Sequence, residues 1–402
     1  MHYMEIGGAE ISLIGLLQTI DYSRYDVDLF LHAHRGELMQ FIPKQVNLLP
    51  EIKEYAHIEC PMKQALFDGC WGVLYGRLKA KLLTQRYLRK KGIKESAAGL
   101  QFVARCVEPY LPNLYGYGKY DMAISFLHPH NYVLSKVRAD KKICWIHTDY
   151  SNIDVNVELE LPIWSAFNHI MSISIEASKN FLKVFPSLED RVIEMENILS
   201  LAFVRHRAEL IPRTEIEREM PFEDGIIRLL SVGRFCKAKN YDNIPDICCR
   251  INSSLSNFQS SHKVKWYIIG WGGDETLIRQ KIEEAGMQDY VIILGKKSNP
   301  YPYIKVCDIY AQPSRYEGKS VTVREAQMLC KPVVVTDYPT AKSQIQNGMD
   351  GVIVTLDNEG CAKGMAECIR NEEMRRSIIR YLQQHDYGNV DEIEKIYNLI
   401  SD

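Results

Sequence analysis

Short apolar runs alternate along the chain with longer stretches whose apolar positions recur at helical spacing, the pattern of strands joined by crossover helices in a parallel sheet. In the second half the runs predict strands at 226–232, 264–269, 290–294, 308–312, 332–336 and 351–355. Helices fall between them at 243–256, 274–285, 320–330, 340–346 and 358–370. In the first half, strands are expected at 26–32, 122–126, 142–146, 169–175 and 192–196, with helices around 8–21 and 64–91. A polar stretch at 206–225, with Pro212, Pro221 and many charges, reads as the connection between the halves. The expected organisation is therefore an α/β domain at 1–205, a second at 225–382, and a C-terminal helix at 383–402 returning toward the first.

A chain of 402 residues suits two cores rather than one. Its 49 basic and 51 acidic residues give no net attraction to nucleic acid. The 11 cysteines are scattered without a C-x-x-C pair, which favours reduced thiols over a zinc site or a disulfide framework. The sequence shows neither a membrane-length apolar run nor a basic, apolar leader at Met1, so a cytoplasmic location is expected.

The chemistry concentrates at 313–326, where a strand turns into a helix with Glu317 in the turn and Glu325 in the helix. Backbone N–H groups of Lys319, Ser320 and Val321 would form the helix N-terminus between the two carboxylates, a place suited to a diphosphate. A sugar hydroxyl set at each end of a diphosphate matches that layout, as in a nucleotide sugar. A second loop, 231–240, places Gly233 at a strand end with Arg234 and Lys239 projecting from the turn, two cations able to neutralise the same diphosphate. The Gly-Trp-Gly-Gly turn at 270–273 follows another strand and is a weak signal alone. Near the start, Gly7 and Gly8 form the turn that normally joins a first strand to a first helix, yet only six residues precede it. The expectation is that this strand is cut short and that the natural start lies upstream.

Together the Gly7-Gly8-Ala9-Glu10 turn, the Gly233-Arg234 to Lys239 loop, the strand end at Leu294-Gly295, and Pro313-Ser314 with Glu317-Gly318 and Glu325-Ala326 resemble the retaining nucleotide-sugar glycosyltransferases of family 4, the group 1 glycosyl transferases. The likeness is good over 225–385 and thinner in the first half, where the glycine turn and the Trp145-Ile146-His147-Thr148-Asp149 strand end carry it. It implies the GT-B fold, two Rossmann-like doubly wound domains facing across a cleft. It also implies that Glu325 holds the ribose hydroxyls, that Glu317 lies by the donor sugar, and that Arg234 and Lys239 bind the diphosphate, with Gly8, Gly233 and Gly295 approaching the donor. By the same resemblance His147 contacts the donor sugar, which makes Glu317, His147, Arg234 and Lys239 the candidate catalytic set. Lys319-Ser320 stands where the family usually has Phe-Gly, a variant associated with bacterial surface polysaccharides such as capsule and lipopolysaccharide, and Lys319 would add a cation at the diphosphate. The activity implied is a retaining, hexosyltransferase-type transfer to a glycan or polyprenyl-linked acceptor. No Asp-x-Asp triplet lies in a plausible metal-binding loop, so no metal is expected. Two other readings stand beside this one: an epimerase or hydrolase of the same fold, and a non-catalytic partner subunit.

The stretch 71–94 carries eight cations and no acidic residue, with Trp71, Tyr75, Tyr87 and leucines interspersed. It reads either as a solvated surface helix or as one lying on an anionic membrane. His128 and His130 flank Pro129, and that spacing without a third ligand reads as a loop rather than a metal pair.

Overall fold

The computed structural model describes residues 1–5, 7–93, 96–148, 150, 153–257, 262–317 and 320–401. They form two compact units, Met1–Ile198 with Asn389–Asp402, and Leu199–Gly388.

In the first unit β1 (Asp28–Leu29) pairs in parallel with β2 (Asn47–Leu48). A second parallel sheet has the order β3 (Lys119–Ser125), β4 (Arg138–Ile146), β5 (His169–Ser172) and β6 (Val192–Glu194). The strand expected at 26–32 is assigned over two residues only, but the chain beyond it is not left unpaired. The His32 and Ala33 N–H groups donate to the carbonyls of Met1 and His2, and the Met4 N–H donates to Arg35. Met4 is buried. The helix Glu394–Ser401 lies against this unit: Tyr397 accepts the Asp21 N–H at 2.7 Å, and Lys141 donates to the Leu399 carbonyl at 2.9 Å. The returning segment starts at Asn389, whereas the helix Glu372–Gln384 remains in the second unit.

The second unit is a six-stranded, wholly parallel sheet of β7 (Ile226–Val232), β8 (Lys263–Ile269), β9 (Val291–Gly295), β10 (Ile309–Gln312), β11 (Val333–Thr336) and β12 (Val352–Val354). Its order is β12-β11-β10-β7-β8-β9. Alternate residues serve opposite faces, as the pleat requires: Leu229, Ile268, Ala311 and Val334 join one apolar core, while Leu230, Ile269, Tyr310 and Val335 join the other. The order reverses between β7 and β10, and in a doubly wound sheet the crevice beyond the strand ends at such a reversal is where ligands bind. The loops carrying Gly233 and Glu317 leave these two strands.

The stretch 206–225 is corrected by the structure. It belongs to the second unit and forms the end of the helix Leu201–Glu209 and the helix Arg213–Glu219. Pro212 caps the second helix, where a missing N–H costs nothing, and the charges read as a linker are mostly its exposed side, while Ile216 and Met220 enter the core.

Candidate functional site

Two glycine loops meet backbone to backbone at the carboxyl edge of the second sheet. A Cβ on Gly233 would stand 2.8 Å from the Tyr241 hydroxyl, and one on Gly270 would stand 1.9 Å from the Gly233 carbonyl oxygen. Only glycine allows this approach. The Gly233 N–H donates to Ile269 at 3.0 Å and the Phe235 N–H to Trp271 at 2.8 Å, which fixes the loop that carries Arg234 and Lys239. Gly295 ends β9 in the left-handed region, φ 72°, and its carbonyl accepts the Gly270 N–H at 3.0 Å.

Glu317 is held by a chain of polar groups at the end of β10. Its Oε1 accepts from Lys239 Nζ at 2.6 Å, Ser314 Oγ at 2.5 Å and Gln312 Nε2 at 3.0 Å. Gln312 is itself oriented by the Tyr310 hydroxyl at 2.8 Å, and Thr336 and Thr340 donate to the Ser314 and Glu317 carbonyls at 2.6 and 3.0 Å. All three side-chain bonds fall on Oε1, so Oε2 remains open among the described residues. Lys239 and Glu317 are largely withdrawn from water, and their pairing keeps either charge from being stranded. Arg234 is exposed and has no hydrogen bond or ion pair among the described residues.

Glu325 stands in the helix Val321–Met328 and is buried, with its Oε1 accepting from the Tyr301 hydroxyl at 2.6 Å. Burial pushes its carboxyl up to about 7, against the opposing pull of Tyr301 and of the nearby Arg207 charge. Arg207 is buried and anchored on the Ser298 carbonyl at 2.9 Å, with its guanidinium 5.4 Å from the Tyr301 ring. Sequence reasoning passed over both supports. Arg207 lay within the presumed linker, and Tyr301 had no signal beyond its apolar neighbours.

The helix N-terminus departs from expectation. The Ser320 N–H, expected to be free for a ligand, donates to Gln344 Oε1 at 3.0 Å, and Gln344 Nε2 donates back to the Ser320 carbonyl at 2.6 Å. This side-chain amide satisfies the buried Ser320 N–H, and the Ser320 carbonyl also accepts the Arg324 N–H at 3.4 Å. Val321 opens the helix as expected, and Gly318, Lys319 and Asp149 lie outside the described residues.

At the carboxyl edge of the first unit, Gly8 opens the helix Gly8–Thr19, and a Cβ there would meet nothing within 4 Å. His147 follows β4, its ring 4.7 Å from Phe126 and stacked 6.3 Å from Trp145. Its Nε2 is buried without a partner among the described residues, and burial lowers the ring to about 4, so the imidazole is neutral at pH 7. His130 bonds the Ser125 hydroxyl at 2.9 Å, while His128 lies 3.4 Å from the buried Glu160, which also accepts from Tyr150 and Trp164 at 3.1 and 3.0 Å. Burial raises the Glu160 carboxyl, but His128, Trp164 and Gln101 outweigh it and hold it below the usual range. Among the described residues no group of three His, Cys, Asp or Glu side chains is placed to hold a metal ion.

Residues 212–385 match the family described as glycosyl transferases group 1. Over 151 residues, 37% of this chain and 39% of the relative, the sequence is 27% identical to the N-acetylgalactosamine-N,N'-diacetylbacillosaminyl-diphospho-undecaprenol 4-alpha-N-acetylgalactosaminyltransferase of Campylobacter jejuni. Over 165 residues, 40% of this chain and 44% of the relative, it is 25% identical to the amylovoran biosynthesis glycosyltransferase AmsD of Erwinia amylovora. The matched segments thus span well under half the length of either curated relative. Across the whole chain the fold is similar to that of Anabaena HepE, solved with UDP and glucose, with a TM-score of 0.65 at 14% identity over 100% of this chain and 98% of that one. The architecture is GT-B, two units each built on parallel sheet.

Proposed function

We propose that the chain is a retaining glycosyltransferase that moves a sugar, of hexose type, from a nucleoside diphosphate sugar to a glycan or polyprenyl-linked acceptor in bacterial surface-polysaccharide synthesis. The observation that carries this reading is the pairing of Lys239 with Glu317 beside the reversal of strand order, with Glu325 held by Tyr301 one helix further on. The group 1 match over 212–385 covers all of these groups. Glu325 takes the ribose hydroxyls, Arg234 and Lys239 take the diphosphate, joined by Lys319 and the Val321 N–H, and Glu317 Oε2 faces the sugar. A phosphate oxygen reaching the Ser320 N–H displaces Gln344. His147, neutral and with an unpaired Nε2, hydrogen-bonds a sugar hydroxyl, and Gly8, Gly233 and Gly295 leave room for the donor.

In the transfer, the bond from the anomeric carbon to the diphosphate oxygen breaks while the acceptor hydroxyl oxygen bonds that carbon on the same face. The acceptor's proton passes to the departing diphosphate. Charge grows on the diphosphate as this occurs, so the cations of the 234–239 loop act on the step itself and no metal is needed. The acceptor is linked to polyprenyl diphosphate, a substrate type named for the Campylobacter relative, and the chain works in the cytoplasm at the inner face of the plasma membrane. A panel of labelled nucleotide sugars incubated with polyprenyl-linked glycans tests this, with the anomeric configuration of the product read by NMR. An inverted product removes the front-face mechanism. Release of free sugar at the same rate with and without acceptor favours the hydrolase reading, and nucleotide binding without any turnover favours a partner subunit.

A further inference from the structure

The helix Trp71–Lys91 carries its apolar residues on the wrong side for a core helix. Its inward face is made of small groups: Val73, Gly76 and Ala80 are buried, and a Cβ on Gly72 or Gly76 would strike the Tyr110 ring at 2.7 Å or the Cys106 carbonyl at 2.6 Å. Four large apolar residues face water, Trp71, Tyr75, Leu78 and Leu82, exposed by 64, 58, 48 and 58%, while Leu74, Leu83 and Leu88 are half-buried. Successive steps of four, three and four residues set these side chains along one line of the helix. At about 100° per residue, Lys79 and Lys81 stand about 80° to either side of Trp71, and Arg89 continues the line beyond Leu82. Lys79, Lys81, Arg86, Arg89 and Lys90 have no ion-pair partner among the described residues, and the helix has no acidic residue. Phe67, exposed by 85%, ends the preceding helix Met62–Phe67 and adds a further exposed apolar group next to the ridge.

We infer that this ridge docks on an anionic lipid bilayer, with Phe67, Trp71, Tyr75, Leu78 and Leu82 entering the acyl boundary and the flanking cations on the headgroup phosphates. An apolar line bordered on both sides by unpaired cations fits a surface that is apolar inside and negative at its rim. A water-soluble partner helix would be matched by a ridge bordered by both signs of charge. Among the described residues no helix is long and apolar enough to cross a membrane. The inference rests on the proposed function only for its purpose, bringing the chain to a lipid-linked acceptor. Vesicle binding is therefore measured without donor or acceptor, and transfer is measured separately on a soluble acceptor analogue.

The full chain is sedimented with phosphatidylcholine vesicles and with mixed phosphatidylcholine and phosphatidylglycerol vesicles. It should partition onto the mixed vesicles alone, with a blue shift of tryptophan emission that the Trp71→Phe variant lacks. Lys79→Glu, Lys81→Glu and Arg86→Glu together should weaken partition by about 100-fold, at roughly fivefold per cation. Leu78→Ser with Leu82→Ser should weaken it by about tenfold or more. Both sets lie on an exposed surface and should keep the parent's melting temperature and its activity on the soluble analogue. Equal sedimentation of parent and variants, or equal partition onto neutral and anionic vesicles, would overturn the inference. So would a parent that is a dimer by light scattering and becomes a monomer in the ridge variants, because the face then belongs to a second copy.

Discussion

In the second unit the acidic groups at the carboxyl edge are tied up before any ligand arrives, Glu317 by Lys239, Ser314 and Gln312, and Glu325 by Tyr301. The first unit's edge offers open space at Gly8 and a neutral His147 whose Nε2 has no partner among the described residues. One edge therefore stores electrostatic interaction in the folded protein, and the other provides shape and an unused hydrogen bond. Substitutions in the first kind of site should disturb folding and function together. In the second kind they should disturb function alone.

The largest effect is expected at Lys239. Under the proposed function its removal takes a cation from the leaving diphosphate and should lower turnover by about 100-fold or more. It also strands the Glu317 carboxylate, whose side chain is only 11% exposed, at a cost of about 3 kcal/mol. Lys239→Ala with Glu317→Gln should recover the stability in urea unfolding without the turnover. A single variant as stable as the parent would mean the pair contributes nothing to the fold.

Glu325 gives the next effect, and its sign follows from its environment. Burial pushes this carboxyl from 4.5 up to about 7, so the folded chain holds the proton more tightly than the unfolded one. That contribution to stability is complete below the unfolded value and disappears as pH rises through about 7. At 1.36 kcal/mol per unit the parent should lose about 3 kcal/mol more than Glu325→Gln does between acid and mildly alkaline pH. Under the proposed function, nucleoside diphosphate affinity in the variant should fall by about tenfold or more, through loss of the carboxylate's bond to the ribose. Parallel stability profiles for parent and variant would show that Glu325 does not titrate as its burial requires.

At Gly8 the expected change in stability is the smallest. An added methyl meets nothing within 4 Å, so Gly8→Ala should leave the unfolding free energy within about 1 kcal/mol of the parent while it weakens donor binding. Loss of stability with donor binding intact would reverse the contrast between the two edges.

The second unit was legible because its sheet is wholly parallel and covered on both faces, so its strands appear as continuous apolar runs, and the six read from sequence lie within a residue or two of β7 to β12. The first unit gave a blurred picture at its start: the run at 26–32 is paired partly with β2 and partly with residues 1 and 2, and only two of its residues form regular ladder. Motif spacing located Glu317, Glu325 and Lys239, since a strand end, a turn and a helix start are local events. The groups that tune them were hidden because they arrive from elsewhere in the chain. Tyr301 comes from a helix 24 positions before Glu325, Gln344 reaches back across 24 positions to Ser320, and Arg207 sits in a helix whose charges and flanking prolines look like a linker. The apolar ridge of the Trp71–Lys91 helix was visible as composition but not as direction, which depended on Gly72 and Gly76 admitting the Tyr110 ring and the 106–107 backbone.

The central claim is that the second unit's carboxyl edge binds a nucleoside diphosphate sugar through Glu325 and the 234–239 loop. The most direct test is calorimetric titration of the parent and the Glu325→Gln chain with uridine, guanosine, adenosine and cytidine diphosphates and their sugars, paired with thermal unfolding. One base should bind the parent, stabilise it by about 2.7 kcal/mol at 100 times its dissociation constant, and lose most of that stabilisation in the variant. If no nucleoside diphosphate binds the parent, or if one binds both chains equally, the site is not the one described.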